Sequence, residues 1–96
     1  MPLPKSIKIG GHRYAVKLLD MVNEEGNANL GEQHTASCSI RINNRMAESQ
    51  QWTTLLHEIL EALKYDLAID IEHDDLSRLE AGLFQVLTDN FRGWRG

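Results

Sequence analysis

The chain has 96 residues, of which 42% are hydrophobic, so it can form one small domain with one core and not two. Its formal charge of −4 argues against nucleic-acid binding, which needs clustered lysine and arginine. Cys38 is the only cysteine, which excludes an intramolecular disulfide and a thiolate-rich zinc site and fits a reducing cytosol. No apolar run approaches the length that spans a bilayer. We therefore expect a single cytoplasmic domain over residues 1–96, with flexible ends at 1–5 and 92–96 and no nucleic-acid or membrane partner.

The first third of the chain predicts a hairpin followed by a loop. Apolar and polar residues alternate from Ser6 to Ile9 and again from His12 to Leu18, with Gly10-Gly11 between them. Two short strands joined by a tight turn fit this pattern. The stretch from Asp20 to Gly31 is rich in Asn, Glu and Gly and predicts a loop, with room for one short turn of helix.

A third strand is predicted from His34 to Asn43, where alternation returns. This pattern places Cys38 on the same face as Ile40, so we expect Cys38 to be a small buried hydrophobic residue. An edge strand that begins at His34 would also form one wall of a groove, in which a peptide binds by adding a strand to the sheet.

Two long helices follow. Residues Met46 to about Tyr65 contain neither glycine nor proline, and Asn43-Asn44 before them is a candidate N-cap. Asp74 or Asp75 is the expected cap of a second helix, which continues through Leu87. Gly82 in its middle costs roughly 1 kcal/mol relative to alanine, so we expect another element to approach closely there.

The first helix contains the run His57-Glu58-Ile59-Leu60-Glu61. At about 100° per residue, His57 and Glu61 are neighbours on one strip of the helix. His-Glu-x-x-His on a helix holds Zn²⁺ with two imidazoles one turn apart, while the glutamate takes a proton from the water that the ion activates. In this chain Glu61 replaces the second histidine. The alternative interpretation is a polar helix flank, in which Glu61 pairs with Lys64 or with solvent.

Glu80 is predicted to lie in the centre of the apolar stripe of the second helix. Burial of an unpaired carboxylate is costly, so Glu80 needs a partner. One candidate partner is an arginine of the sheet, Arg13 or Arg41. The other is a metal ion, held by His57, Glu61 and Glu80 with the fourth tetrahedral position left for water.

The residues from Thr54 to Leu63, Thr-Leu-Leu-His-Glu-Ile-Leu-Glu-Ala-Leu, and those from Leu79 to Asn90 carry a resemblance to a family. Together they resemble the small phage and prophage zincin-like metallopeptidases, which are similar to minimal gluzincins and distantly related to the ImmA/IrrE-like peptidase domain. The resemblance extends from Tyr14 to Asn90. It implies an α+β fold, with a small antiparallel sheet of about three strands packed on two long helices. It also implies bound Zn²⁺ and hydrolysis of peptide bonds in a peptide or protein substrate.

Carried over by this resemblance, His57 is the first metal ligand and Glu58 is the general base. Glu80 is the candidate for the acidic ligand of the second helix. The alignment also allows Asp75 or Asp74 in that role. His73, just before the second helix, is either a solvated cap residue or a replacement imidazole.

Glu61 departs from the family pattern, because it stands where the family has histidine. A carboxylate binds zinc at about the same distance as an imidazole, so the distance is no objection. With Glu61 and Glu80 both ionised, however, their two negative charges would offset the charge of the ion. The bound water would then be less acidic than with a second histidine, and the site would favour a harder ion such as Mn²⁺. We expect a zinc metallopeptidase. The alternative is a catalytically inactive zincin-like fold that binds a host or repressor protein.

Overall fold

The computed structural model describes residues 2–21, 29–91 and 94. The described elements are, in order, β1 (Ser6–Ile9), β2 (His12–Leu19), β3 (Gly31–His34), β4 (Ser39–Asn43), α1 (Glu48–Asp66) and α2 (His73–Asn90). The four strands form one sheet in the order β1-β2-β4-β3. A small sheet with two long helices confirms the predicted α+β fold. None of these helices is long and apolar enough to cross a membrane.

The predicted hairpin is confirmed. β1 and β2 pair in antiparallel fashion, with Ile9 opposite His12. Gly10 and Gly11 connect them with φ angles of 58° and 87°. A two-residue hairpin turn with positive φ at both central positions selects glycine, which has no Cβ to clash in that conformation.

The predicted strand from His34 to Asn43 is wrong in its first half. β3 ends at His34, and β4 begins only at Ser39. Between them the chain turns, with the Cys38 N–H donating to the Thr35 carbonyl over 3.1 Å and with φ of 50° at Cys38. Small residues alternate through this turn as they would in a strand, so the pattern alone did not show it. Cys38 is half-buried and packs against the core, but from a turn and not from a strand.

The sheet is mixed and has four strands, which corrects the expected antiparallel sheet of about three. β2 and β4 pair in parallel, from Ala15 opposite Ser39 to Leu19 opposite Asn43. The additional strand, β3, begins at Gly31, the last residue of the predicted loop, and pairs antiparallel with β4 at the edge of the described sheet. Residues 22–28 of that predicted loop lie outside the described residues.

α1 begins at Glu48, two residues later than predicted, and its N-cap is Ala47, without a side-chain capping bond. The Asn43 side chain holds the preceding loop instead. It donates to the Asn29 carbonyl over 2.9 Å and accepts from the Arg45 N–H over 3.0 Å. The predicted cap at Asn43-Asn44 is therefore wrong, because the Asn43 side chain is used by loop backbone groups.

The core lies between α1 and one face of the sheet. Ile40 and Ile42 of β4 and Leu55 of α1 are fully buried, with Tyr14 and Trp52 around them. Burying one side chain of this size stabilises a fold by about 1.5–3 kcal/mol. These contacts fix α1 across β4 and β3.

The two ends of the described chain meet this core. Leu3 is buried, and the Lys5 carbonyl accepts the Val16 N–H over 2.9 Å. The Trp94 ring meets Trp52 edge to face, with ring centroids 5.2 Å apart. The remaining residues of the end expected to be flexible, 92, 93, 95 and 96, lie outside the described residues.

α2 packs on α1 and is described in full, from His73 to Asn90. Its N-cap is Glu72, so the predicted caps Asp74 and Asp75 lie inside the first turn. Their negative charges there interact favourably with the positive end of the helix dipole. Of its residues only Leu76 is buried. Among the described elements, α1 is the main partner of this helix.

Candidate active site

A groove opens where α1, α2 and the start of β3 meet. It encloses about 290 Å³. Three of its lining residues carry the predicted chemistry: His57, Glu58 and Glu80. The others are Leu30, Gly31, Gln50, Thr53 and Thr54. The structure therefore brings together side chains of two helices that are 23 positions apart in sequence.

The imidazole of His57 lies between two carboxylates. Its Nδ1 is 2.9 Å from Oε2 of Glu80, and its Nε2 is 3.8 Å from Oε1 of Glu61. The Glu80 side chain is only 13% exposed, so it needed a partner, as the sequence indicated. That partner is His57 and not an arginine of the sheet; Arg13 donates to Ser6 instead.

The surroundings of His57 raise its pKa above the ordinary histidine value. Partial burial acts the other way and lowers the pKa, because it disfavours the charged ring. The hydrogen bond and the negative charge of Glu80, together with the charges of Glu58 and Glu61, outweigh this effect. His57 therefore holds a proton to higher pH than a solvated histidine does.

Glu58 is the most deeply buried acid of the groove, with 7% of its surface exposed. Burial raises the pKa of Glu58 above the ordinary carboxyl value, and His57 partly opposes this rise. The neighbouring carboxylates of Glu61, Glu80 and Glu32 raise it further. A carboxyl whose pKa is moved toward neutrality is better suited to accept and return a proton near neutral pH.

Gly31 at the start of β3 allows the strand to lie against α1. A Cβ atom at this position would be 2.6 Å from Cγ2 of Thr54 and 3.2 Å from Oε2 of Glu58. The first distance is well below a normal carbon–carbon contact of about 3.5–4.0 Å. Sequence analysis missed this residue, because it fell at the end of a predicted loop and no periodic pattern marks it.

The outer edge of β3 faces away from β4. The Asn43 N–H donates to the Leu30 carbonyl over 2.9 Å, so Leu30 and Asn43 form a hydrogen-bonded pair of the antiparallel ladder. Such pairs alternate with pairs whose backbone groups point outward, and the register gives that place to Gly31 and Gln33. The edge strand predicted to begin at His34 is not found, because β3 ends there and a turn follows; it is β3 that borders the groove, at Gly31.

Of the alternative ligands, His73 is the one that lies near His57. The centroids of the His73 and His57 rings are 6.5 Å apart, and the ring planes meet at 78°. Asp74 and Asp75 are exposed, and Asp75 pairs with Arg78 on its own helix. Because His73 is the first residue of α2, its position depends on how α2 docks on α1 and was not visible in the sequence.

The part of the chain that the structure describes contains no group of three or more His, Cys, Asp or Glu side chains already arranged to hold a metal ion. Glu80 and Glu61 face opposite nitrogens of His57. An ion bound at one of these nitrogens therefore has only one of the two carboxylates on its side of the ring. Donors about 2.0–2.2 Å from zinc in a tetrahedron are roughly 3.3–3.6 Å apart. The 2.9 Å and 3.8 Å separations at His57 lie on either side of this value. The nitrogen and oxygen donors therefore suit zinc by their chemistry, whereas their spacing in the described residues is not that of a tetrahedral site.

Comparison of the chain with family models, with curated proteins and with solved structures finds no match. The zincin-like resemblance thus stays a prediction. What the groove contains is an imidazole between two carboxylates, a buried carboxyl with a raised pKa, and the start of β3, the edge strand of the described sheet.

Proposed function

We propose that this chain is a cytoplasmic zinc-dependent peptide hydrolase of the phage zincin-like kind, with Glu58 as the general base. The observation that carries the proposal is the position of Glu58. Its carboxyl is buried, has a raised pKa, follows His57 on α1 and lies beside Gly31 at the edge of the sheet. A general base needs both this tuning and access to substrate, and the groove supplies the access.

The ion would be held by His57 and Glu80 first, because both line the groove beside Glu58. Glu61 lines a neighbouring depression with Lys64 instead, so it is the second carboxylate of the set, and His73 is the nearest further imidazole. When bound, zinc polarises a carbonyl and acidifies water. Zinc suits this mixture of nitrogen and oxygen donors, and the two carboxylates also favour Mn²⁺.

The chain's own residues have separate tasks in this proposal. In the metal-free chain Glu80 lies within hydrogen-bonding distance of Nδ1 of His57 and orients the ring, while Glu61 lies farther away on the side of Nε2. The Glu58 carboxylate accepts a proton from the attacking water and returns it to the nitrogen of the leaving amine. The outward backbone groups of Gly31 and Gln33 bind the substrate backbone as an added strand.

The second candidate function is a binding module without turnover. The edge of β3 favours it, because a strand edge binds an extended segment of a protein partner without any metal. Glu61 favours it as well, since an extra carboxylate near the ion weakens its effect on water.

Measurement of bound metal tests whether the chain holds an ion at this site. The protein is purified without added metal, dialysed against zinc or manganese, and analysed for bound metal by mass spectrometry. We expect one equivalent in the wild type, and loss in His57→Ala and in Glu80→Ala. His34→Ala is the matched control, because His34 is an exposed histidine that pairs with Glu32. A wild type that binds neither metal, or a His34→Ala loss equal to that of His57→Ala, would overturn the metal site.

Turnover separates the two candidate functions. Wild-type and Glu58→Gln proteins are incubated with a peptide library, and the products are identified by mass spectrometry. The hydrolase proposal expects cleavage by the wild type and none by Glu58→Gln, with metal content unchanged. Cleavage that survives in Glu58→Gln contradicts the role of Glu58. Peptide binding without cleavage in both proteins favours the binding module.

A further inference from the structure

α2 carries a second apolar strip that stays largely exposed among the described residues. Leu79 is 54% exposed and Val86 is 45% exposed. Both lie on one side of the helix together with Gly82 and Leu83, since positions three, four and seven apart share a helix face. We call Leu79, Gly82, Leu83 and Val86 the outer strip. Leu79, Gly82 and Val86 lie round the helix from the side that carries Leu76 and Glu80, and the half-buried Leu83 lies at the border between the two sides. None of the four lines the candidate active-site groove.

Gly82 has no packing role inside the described chain. A Cβ atom built on it meets nothing within 4 Å among the described atoms, so the expected close approach of another element of the same chain is not found. Glycine in a helix interior is nevertheless less favourable than alanine. A glycine beside exposed Leu79 and Val86 leaves a shallow hole, into which a side chain of a facing helix fits.

We propose that the outer strip pairs with the outer strip of a second copy of this chain, with the two α2 helices antiparallel. In this register Leu79 faces Val86 of the other copy, and Leu83 packs over Gly82. The register is self-complementary, as a two-fold dimer requires. Antiparallel helices also place their dipoles head to tail.

Charge complementarity selects the antiparallel direction. Arg78 and Asp89 lie on the same flank of the outer strip, near its two ends, and both are exposed. In an antiparallel pair equal flanks meet, so Arg78 of each copy lies beside Asp89 of the other. Within one chain Arg78 pairs with Asp75 at an exposed site, and Gln85 donates to Asp89 over 2.7 Å. Exposed contacts of this kind exchange at little cost.

The size of the surface indicates a weak interface rather than an obligate one. α2 has 18 residues, so it is about 27 Å long. A contact between two helices of this length falls at the small end of specific interfaces, which corresponds to a weak and concentration-dependent dimer. We therefore expect dissociation in the micromolar range.

Sedimentation and light scattering on the full chain over a range of concentrations test the proposal. The wild type is expected to shift from monomer to dimer, and Val86→Glu is expected to stay monomeric. Leu67→Glu is the matched control and should dimerise like the wild type, because Leu67 is 61% exposed but lies in the connection after α1. A wild type that stays monomeric at several hundred micromolar, or equal effects of the two substitutions, would overturn the proposal.

Charge reversal at exposed positions tests whether the two α2 helices run antiparallel, and it does not disturb the core. Arg78→Glu and Asp89→Arg should each weaken the dimer by about tenfold, because each puts like charges side by side twice across the two-fold axis. The double variant should regain most of the wild-type affinity. Circular dichroism confirms that each variant is folded, as expected at exposed positions. A double variant as weak as the single ones would exclude the antiparallel pairing.

Discussion

Nδ1 of His57 lies 2.9 Å from Oε2 of Glu80, so a side chain of α2 fixes the orientation of a ring on α1. Glu61, one turn away on α1, is farther from the other nitrogen, at 3.8 Å. A carboxylate hydrogen-bonded to one imidazole nitrogen sets the tautomer and leaves the other nitrogen defined for a ligand or a proton. The docking of α2 on α1 therefore contributes to the raised pKa of His57 through Glu80.

We expect Glu80→Gln to lower the pKa of His57. The glutamine is still able to hydrogen-bond the ring, but it removes the negative charge that favours the imidazolium. The measurement is an NMR titration of the four histidines of the metal-free protein. Glu61→Gln is the matched control and should lower the pKa less, because Glu61 is farther from the ring. An unchanged His57 pKa in Glu80→Gln would show that the pair does not form in solution.

We expect Glu58→Gln to stabilise the metal-free protein at neutral pH, by about 1 kcal/mol, because it removes a buried charge. The folded-state pKa of Glu58 is raised, so the folded chain binds this proton more tightly than the unfolded chain. Stability from this group is fully present below the unfolded carboxyl pKa of about 4.3 and is lost as pH rises through the folded value. The gain in Glu58→Gln should therefore shrink toward pH 4.

Urea unfolding at about pH 4 and pH 8 measures this difference through the free energy of unfolding. Asp70→Asn is a suitable control, because Asp70 is an exposed acid in the connection between the helices. It should change stability by less than about 0.5 kcal/mol. A gain in Glu58→Gln that is equal at both pH values would argue against an ionised, buried Glu58.

Local signals predicted the elements that depend on local chemistry. Gly10-Gly11 gave the hairpin, and the absence of glycine and proline after Met46 gave α1. The turn that ends at Cys38 was missed, because alternation of small residues continues through it. The parallel pairing of β2 with β4 was missed as well, since strand direction depends on the path of the chain between them and not on the residues of either strand.

The candidate site divides in the same way. His57 and Glu58 follow from a motif within one helix, and Glu80 follows from helical periodicity, which predicts the face of a residue. Periodicity does not give distances between elements. For this reason the contact of His73 with His57 and the approach of Gly31 to Glu58 emerged only from the docked structure.

We expect Leu55→Ala to be the more damaging of two leucine substitutions. Leu55 is fully buried against β4, so truncation removes apolar contacts and leaves a cavity, at a cost of about 2–5 kcal/mol. In a domain of this size that loss is a large part of the total stability. Leu67→Ala, at a site that is 61% exposed, should cost less than about 0.5 kcal/mol. Thermal unfolding compares the two, and similar losses would place Leu55 outside the core.

Two glycine-to-alanine substitutions should change stability in opposite directions. At Gly31 the added methyl group would be 2.6 Å from Cγ2 of Thr54 and 3.3 Å from the Arg41 carbonyl, so β3 and α1 must separate, at a cost of about 1–3 kcal/mol. At Gly82 the methyl group meets open space, and the helix gains about 0.5–1 kcal/mol.

Both variants are compared with the wild type by urea unfolding, at protein concentrations low enough to keep the chain monomeric. A neutral Gly31→Ala would mean that β3 does not lie against α1 as described. In that case the groove beside Glu58 would be wider than the structure shows, and the added methyl group would not contact Glu58. A destabilising Gly82→Ala would instead show that another part of the chain covers this position. The two glycines therefore report separately on the groove and on the outer strip.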